Sequence, residues 1–202
     1  MTMFERIRQA LTVPGNMGPV VIDELGIAES LNPAAVLVPL FLRDGELHLL
    51  MTHRTDQVFA HKNQISFPGG GMEPIDANLV ATALRESHEE IGLMPSDVEI
   101  LGQMEDTFTM TGFRISPVVG RIPFPYTFRS NPFEVRELLF VPWTLFSEGQ
   151  HHRREQIQIA ERTFDVDYYE FEQHTIWGVT ARIARQLVEA TGAITFNCEA
   201  ER

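Results

Sequence analysis

Residues 67–93 read FPGGGMEPIDANLVATALRESHEEIGL, a glycine-rich turn running into a helix with Glu86, Glu89 and Glu90 crowded near its far end. Acidic side chains suit a helix N-terminus, where the macrodipole favours negative charge; near the C-terminus the dipole opposes them. Fold stability gives no reason for that placement, whereas a bound divalent cation does. At about 100° per residue, Glu90 falls about 40° from Glu86, and Glu89 about 60° to its other side, so the three carboxylates share one arc. Val80, Leu84, Ser87 and Ile91 occupy a separate arc, the expected buried stripe. Asp76 reads as the N-cap and Gly92 as the C′ residue of a helix of about four turns. The competing reading is a solvated acidic face with Arg85 and Glu89 as an ordinary i,i+4 ion pair.

Upstream, Ala34–Leu42 (AAVLVPLFL) is a continuous apolar run expected to be a buried strand, and Pro39 within it demands a bulge or an unpaired edge. Asp44-Gly45 is a hairpin signal, and Leu47–His53 reads as the returning strand. Before these, Phe4, Ile7 and Leu11 stand at helical spacing, while the prolines and glycines between residues 12 and 33 read as a linker. Downstream, 98–102, 115–121, 135–141 and 163–171 read as strands, with a proline-rich surface loop at 122–133. His151–Arg154 (HHRR) reads as a solvated hairpin loop or, less simply, a contact to an anionic substrate. Ile176–Ala190 reads as an amphipathic helix with Val179, Ile183 and Leu187 on one face, Trp177 in the core of its first turn and Gly192 as its cap. A hairpin, a helix, several strands and a helix make an α+β chain, a mixed sheet with helices on both faces.

The 202 residues suffice for one domain spanning 1–202, with a helical extension over about 1–30 and a frayed tail after 192. A net charge of −12 argues against nucleic acid or an anionic membrane as partner, because both would repel it. It permits a phosphorylated small molecule where metal ions supply local positive charge. The single cysteine, Cys198, allows no intrachain disulfide and no cysteine-based zinc site; with no signal or membrane segment, a cytoplasmic location is expected. The oligomeric state is left open.

Gly71, Arg85-Glu86, Glu89-Glu90 and Gly92-Leu93 resemble the Nudix box: a glycine, five residues, a glutamate, seven residues, Arg-Glu, an aliphatic residue, any residue, Glu-Glu, any residue, a glycine and an apolar residue. The spacing matches without a gap from Gly71 to Leu93. Ala77 stands where the first glutamate is expected, and Ser87 where the aliphatic residue is expected. The resemblance implies hydrolysis of a nucleoside diphosphate linked to another group, Mg²⁺ or Mn²⁺ as cofactor, and an α/β/α sandwich. It also implies Glu86, Glu89 and Glu90 as catalytic metal ligands, Arg85 as the arginine that orients them, and Gly71 as the turn before the helix; the Cβ-poor run Gly69, Gly70 and Gly71 can by its own chemistry bring backbone N–H groups close to a phosphate. Either a helix glutamate or a loop carboxylate, Glu134 or Glu137, would serve as general base.

A second resemblance spans about residues 32–190 and points to the coenzyme A pyrophosphatase branch. It rests on Leu50, Thr52, Arg54 and Phe67–Gly70, and on the stretches NPAAVLVPL (32–40), NPFEV (131–135) and IWGVTA (176–181). Met51, Thr55, Phe59 and Asn63 depart from it, Phe59 replacing an arginine and Asn63 a glycine. It implies cleavage of coenzyme A, or an acyl or oxidised form, to 3′,5′-ADP and a 4′-phosphopantetheine fragment. Arg54, His53 and Lys62 become candidates for the 3′-phosphate. Two other readings stand beside it: a Nudix diphosphatase for ADP-ribose, a dinucleotide or an oxidised nucleotide, and a non-catalytic nucleotide sensor.

Overall fold

A computed structural model of the protein describes residues 2–11, 31–56, 63–109, 111–149, 152–159 and 162–191. The linker expected over most of 12–33, Phe59, Lys62, His151, the Gly192 cap, the tail and Cys198 lie outside the described residues.

The long apolar run forms β1 (Asn32–Arg43), and the returning strand is β2 (Glu46–Arg54), in antiparallel register with Arg43 opposite Glu46. Asp44 and Gly45 both take positive φ, 54° and 83°, as a tight hairpin turn of right-twisted strands requires. β1 lies at the centre of an eight-stranded mixed sheet ordered β3-β2-β1-β7-β5. Its members are β3 (Ile65–Ser66), β4 (Gly69–Gly71), β5 (Glu99–Gln103), β6 (Thr107–Phe108), β7 (Phe113–Arg121) and β8 (Val135–Pro142). β1 and β7 run parallel, and β4, β6 and β8 pair with β1, β7 and β2.

Pro39 pairs with Gly120 on the β7 edge of β1. On the other edge the register passes from β4, through Val36, to β2 from Leu40, and Pro39 falls in that gap. The residue that cannot donate sits where no donor is needed, as its place in the run demands.

Successive side chains of β1 feed opposite layers. Val38 and Leu40 join a core with Leu49, Met51, Ile183 and Leu187. Ala35, Leu37 and Phe41 join the other with Leu50, Ala83, Ile91 and Val118. The second layer is covered by α2 (Leu79–Ile91). The first is covered by α1 (Met3–Leu11), α3 (Thr144–Ser147) and α4 (Gly178–Thr191), with Phe4 and Ile7 of α1 buried. This is the expected α+β sandwich of a mixed sheet between helices.

β9 (His152–Ile159), β10 (Arg162–Phe171) and β11 (His174–Trp177) form a three-stranded antiparallel sheet, of which the sequence pattern predicts only the middle strand. Two corrections follow from it. Residues 152–154 of the basic cluster are strand, not hairpin loop: His152 Nε2 and Arg154 Nε lie 2.8 Å from Asp167 Oδ1, and Arg185 Nε 2.9 Å from Oδ2. The charges of Arg154 and Arg185 neutralise a buried carboxylate. Ile176 and Trp177 belong to β11, and the helix starts at Gly178, whose φ of 65° turns the chain out of the strand. Trp177 therefore leaves the core: it is 40% exposed and stacks on its cross-strand partner Tyr168 at 6.1 Å. Among the described residues, no helix is long and apolar enough to cross a membrane.

Candidate active site

The helix α2 starts two residues later than an N-cap at Asp76 would place it. Asn78, not Asp76, is the N-cap, its side-chain oxygen accepting from Ala81 N at 3.0 Å. Gly92 closes the helix with φ 69°, as expected. Asp76 has a different task. It is buried, accepts from Glu73 N and Thr82 Oγ1, and takes Arg85 Nε at 2.9 Å and Nη2 at 3.1 Å in a bidentate pair. The Arg85 bonds, the largest influence, hold its pKa down to about 2 despite burial. A carboxylate thus stands directly beside Ala77, where the sequence pattern lacks one.

Arg85 is the hub of the cluster. Besides Asp76 it reaches Glu86 Oε1, Glu89 Oε2 and the Gly71 carbonyl, each at 3.0 Å. One planar guanidinium with donors in a fixed fork is suited to hold three carboxylates and a backbone oxygen in register.

The three glutamates share an arc but not an environment. The side chain of Glu89 is half exposed, that of Glu86 is 16% exposed and that of Glu90 only 1%. The buried side of α2 comprises Thr82, Ala83, Ser87, Glu90 and Ile91, with Val80 and Leu84 only partly buried. The expected apolar stripe is therefore shifted, and it overlaps the acidic arc at Glu90. Burial lifts the pKa of Glu90 to about 7; Arg54 opposes the rise, and Glu134 and Glu86 add to it. Burial also raises Glu86, against the pull of Arg85. Arg54 Nη1 donates to Glu90 Oε1 at 2.8 Å, while Glu90 Oε2 is buried with no hydrogen-bond partner among the described residues.

The glycine run is a correction as well as a support. Gly69–Gly71 form the strand β4 rather than a free turn, opposite Val36, Ala35 and Ala34. A Cβ on Gly69 would lie 2.3 Å from the Ala35 carbonyl oxygen, and one on Gly70 2.5 Å from Glu86 Oε1. Gly70 thus leaves the space that the Glu86 carboxylate fills, while Gly71 is open and offers its carbonyl to Arg85.

The far end of α2 is closed by the loop before β8. Asn131 N donates to the Glu90 carbonyl at 2.8 Å and Arg129 N to the Ile91 carbonyl at 2.9 Å, meeting two carbonyls the helix leaves unpaired. Asn131 Nδ2 holds Glu134 Oε1 at 2.9 Å, and the charge of Glu134 acts on both Glu86 and Glu90. Glu137 lies elsewhere, 3.3 Å from His174 Nε2 and 3.8 Å from His53 Nδ1. Residues alternate along β2, so His53 and Arg54 face opposite layers, and only Arg54 joins the helix carboxylates. Burial, His174 and Arg136 lower the pKa of His53 against the pull of Glu137.

The structure therefore brings Glu86, Glu89, Glu90, Arg85, Arg54, Gly70 and Gly71 together, adds Asp76 and Asn131, and sets His53 apart. Asp76 had a sequence signal in its place next to Ala77. Asn131 stood out only as the first residue of the matched stretch NPFEV, because its role depends on a loop folding back over α2.

The donor set fits a hard divalent cation. Glu86 and Glu89 offer carboxylate oxygens, and the bare Glu90 Oε2 is a buried acceptor that such an ion would satisfy.

Residues 31–172 match the NUDIX domain family. The uncharacterized Nudix hydrolase NudL of Yersinia enterocolitica is 37% identical over 158 residues, 77% of this chain and 80% of that protein. NudL of Escherichia coli strain SMS-3-5 is 35% identical over 167 residues, 81% of this chain and 86% of that one. The peroxisomal coenzyme A diphosphatase NUDT7 of Mus musculus is 34% identical over 161 residues, covering 77% and 68%. With its carboxylate helix, arginine hub and glycine strand assembled, the chain belongs to the Nudix family of hydrolases.

Proposed function

We propose that the enzyme hydrolyses the diphosphate linkage of coenzyme A or a derivative, giving 3′,5′-ADP and 4′-phosphopantetheine or its acylated form. The observation that carries the hydrolytic part is the Glu86–Glu89–Glu90 arc braced by Arg85 and Arg54. The substrate reading is supported by the matched stretches 32–40, 50–54, 67–70, 131–135 and 176–181 and by the likeness to the mouse diphosphatase. One departure loses its weight: Asn63, where the branch has glycine, takes φ 56°, a left-handed conformation that asparagine tolerates better than other side chains.

Glu86, Glu89 and Glu90 would hold Mg²⁺ or Mn²⁺, which neutralises the diphosphate charge and lowers the pKa of a bound water. The protein's own contribution is positional. Arg85 fixes Glu86 and Glu89, and Arg54 fixes one oxygen of Glu90 so that the other points free. Glu134, adjacent in charge to Glu86 and Glu90, is better placed than Glu137 to accept a proton from the attacking water.

The test is a panel assay with Mg²⁺ on coenzyme A, acetyl-coenzyme A, ADP-ribose, diadenosine polyphosphates and oxidised nucleotides, with products separated by chromatography. Coenzyme A forms are expected to give the highest kcat/KM, with 3′,5′-ADP released. Preferential cleavage of ADP-ribose or a dinucleotide would reject the substrate and keep the hydrolase; turnover of none would reject both.

A further inference from the structure

On the opposite layer from α2, we propose that His53, Glu137 and His174 form a second metal site, for a transition-metal dication of the Zn²⁺ class, with one coordination position open to a pocket. The proposal is independent of the substrate reading. The ligands come from β2, β8 and β11, so the site joins the mixed sheet to the three-stranded one.

One donor atom from each residue lies within 4.8 Å of the others. Glu137 Oε2 is 3.3 Å from His174 Nε2 and 3.8 Å from His53 Nδ1. Donors around a tetrahedral zinc with bonds of about 2.0–2.1 Å stand about 3.4 Å apart, so these separations are already near a bound arrangement. His53 Nδ1 is buried and makes no hydrogen bond among the described residues, an expensive state that a metal would relieve. Gln173 Nε2 lies 3.0 Å from His174 Nε2, and a metal bound at that nitrogen would take the lone pair that an amide N–H can otherwise meet.

Two imidazoles and one carboxylate prefer a different ion from the oxygen-only cluster on α2. Nitrogen donors suit zinc, cobalt or nickel, whereas carboxylate oxygens suit magnesium or manganese. Three protein ligands leave a fourth position. A pocket of about 450 Å³ lies over the two histidines, bounded also by Arg136, Thr175 and Trp177. Arg136 adds positive charge there, so a small anion is the favoured fourth ligand.

The test uses the tag-free 202-residue enzyme in saturating Mg²⁺, titrated with Co²⁺ and followed by visible absorption and calorimetry. One site is expected to give the intense band of four- or five-coordinate cobalt, and azide is expected to shift it. Affinity is expected to fall by about tenfold or more in His53→Ala, His174→Ala and the isosteric Glu137→Gln, each checked for fold by circular dichroism. It is expected to be unchanged in a Glu86→Gln/Glu90→Gln double variant. Absence of the band, or affinity that survives both His174→Ala and Glu137→Gln, would leave only an ion-pair triad and overturn the site. A band that azide does not move would overturn the open position.

Discussion

Glu90 is the residue whose placement asks most of the protein. Its side chain is almost wholly buried, one oxygen is paired with Arg54 and the other is bare. Glu86→Gln and Glu90→Gln are each expected to lower kcat by about a hundredfold or more with the fold intact, because each removes a charge that holds the cation. Rates within a few fold of wild type in both variants would discard the metal cluster. Arg54 is bound to Glu90, so Arg54→Ala is expected to slow coenzyme A and 3′-dephospho-coenzyme A by the same factor. A selective loss on coenzyme A would instead make Arg54 a reader of the 3′-phosphate. Gly70→Ala places a methyl 2.5 Å from Glu86 Oε1 and is expected to depress kcat, whereas Gly71→Ala meets nothing within 4 Å and serves as the matched control.

At the scale of the element, α2 is held at both ends by groups outside its hydrogen-bonded turns. Asn78 caps the start, and Asn78→Ala is expected to cost about 1 kcal/mol of stability. The Asp76–Arg85 pair has a distinct pH signature. Its folded pKa is depressed to about 2 from 3.8, so the stabilisation is present above 3.8 and is lost as pH falls through 2. Urea midpoints of wild type and Asp76→Asn are therefore expected to differ at about pH 5 and to converge near pH 2, with a difference of about 1.5–3 kcal/mol at the higher pH. A gap that persists unchanged to the acid end would show that Asp76 acts through packing rather than charge. Because the same pair positions Arg85, Asp76→Asn is also expected to reduce kcat.

Over the whole molecule, two helical layers do separable work. The face under α2 carries the carboxylates, and the core packed under α1 and α4 on the other face is a hydrophobic support. Ile7 is fully buried there, and Ile7→Ala is expected to cost about 2–5 kcal/mol while leaving relative substrate rates unchanged. A metal that binds only the folded chain adds about 2.7 kcal/mol at a hundred times its Kd, so Mg²⁺ is expected to raise the Tm of wild type. The Glu86→Gln/Glu90→Gln variant is expected to show no such rise; an equal rise in both would place the stabilising ion somewhere else.

The amino-acid sequence by itself determined what is encoded over a few turns of chain. It specified the register of Gly71, Arg85, Glu86, Glu89, Glu90 and Gly92, the Asp44-Gly45 hairpin, and the interruption at Pro39. Helical and strand periods are local, and these features depend on nothing more distant. Tertiary structure alone decided that Arg54, 36 residues from Glu90, is its partner, and that neighbouring His53 turns to the other layer. It moved Asp76 from cap to clamp, put Glu90 into the buried face, took Trp177 out of the core and tied His152 and Arg154 to Asp167. Some of these pairings span 36 residues and others only nine, but each joins an element to a segment outside its own helical or strand period. Periodicity tells which side of a strand or helix a residue lies on, but only the packed sheet determines what that side meets.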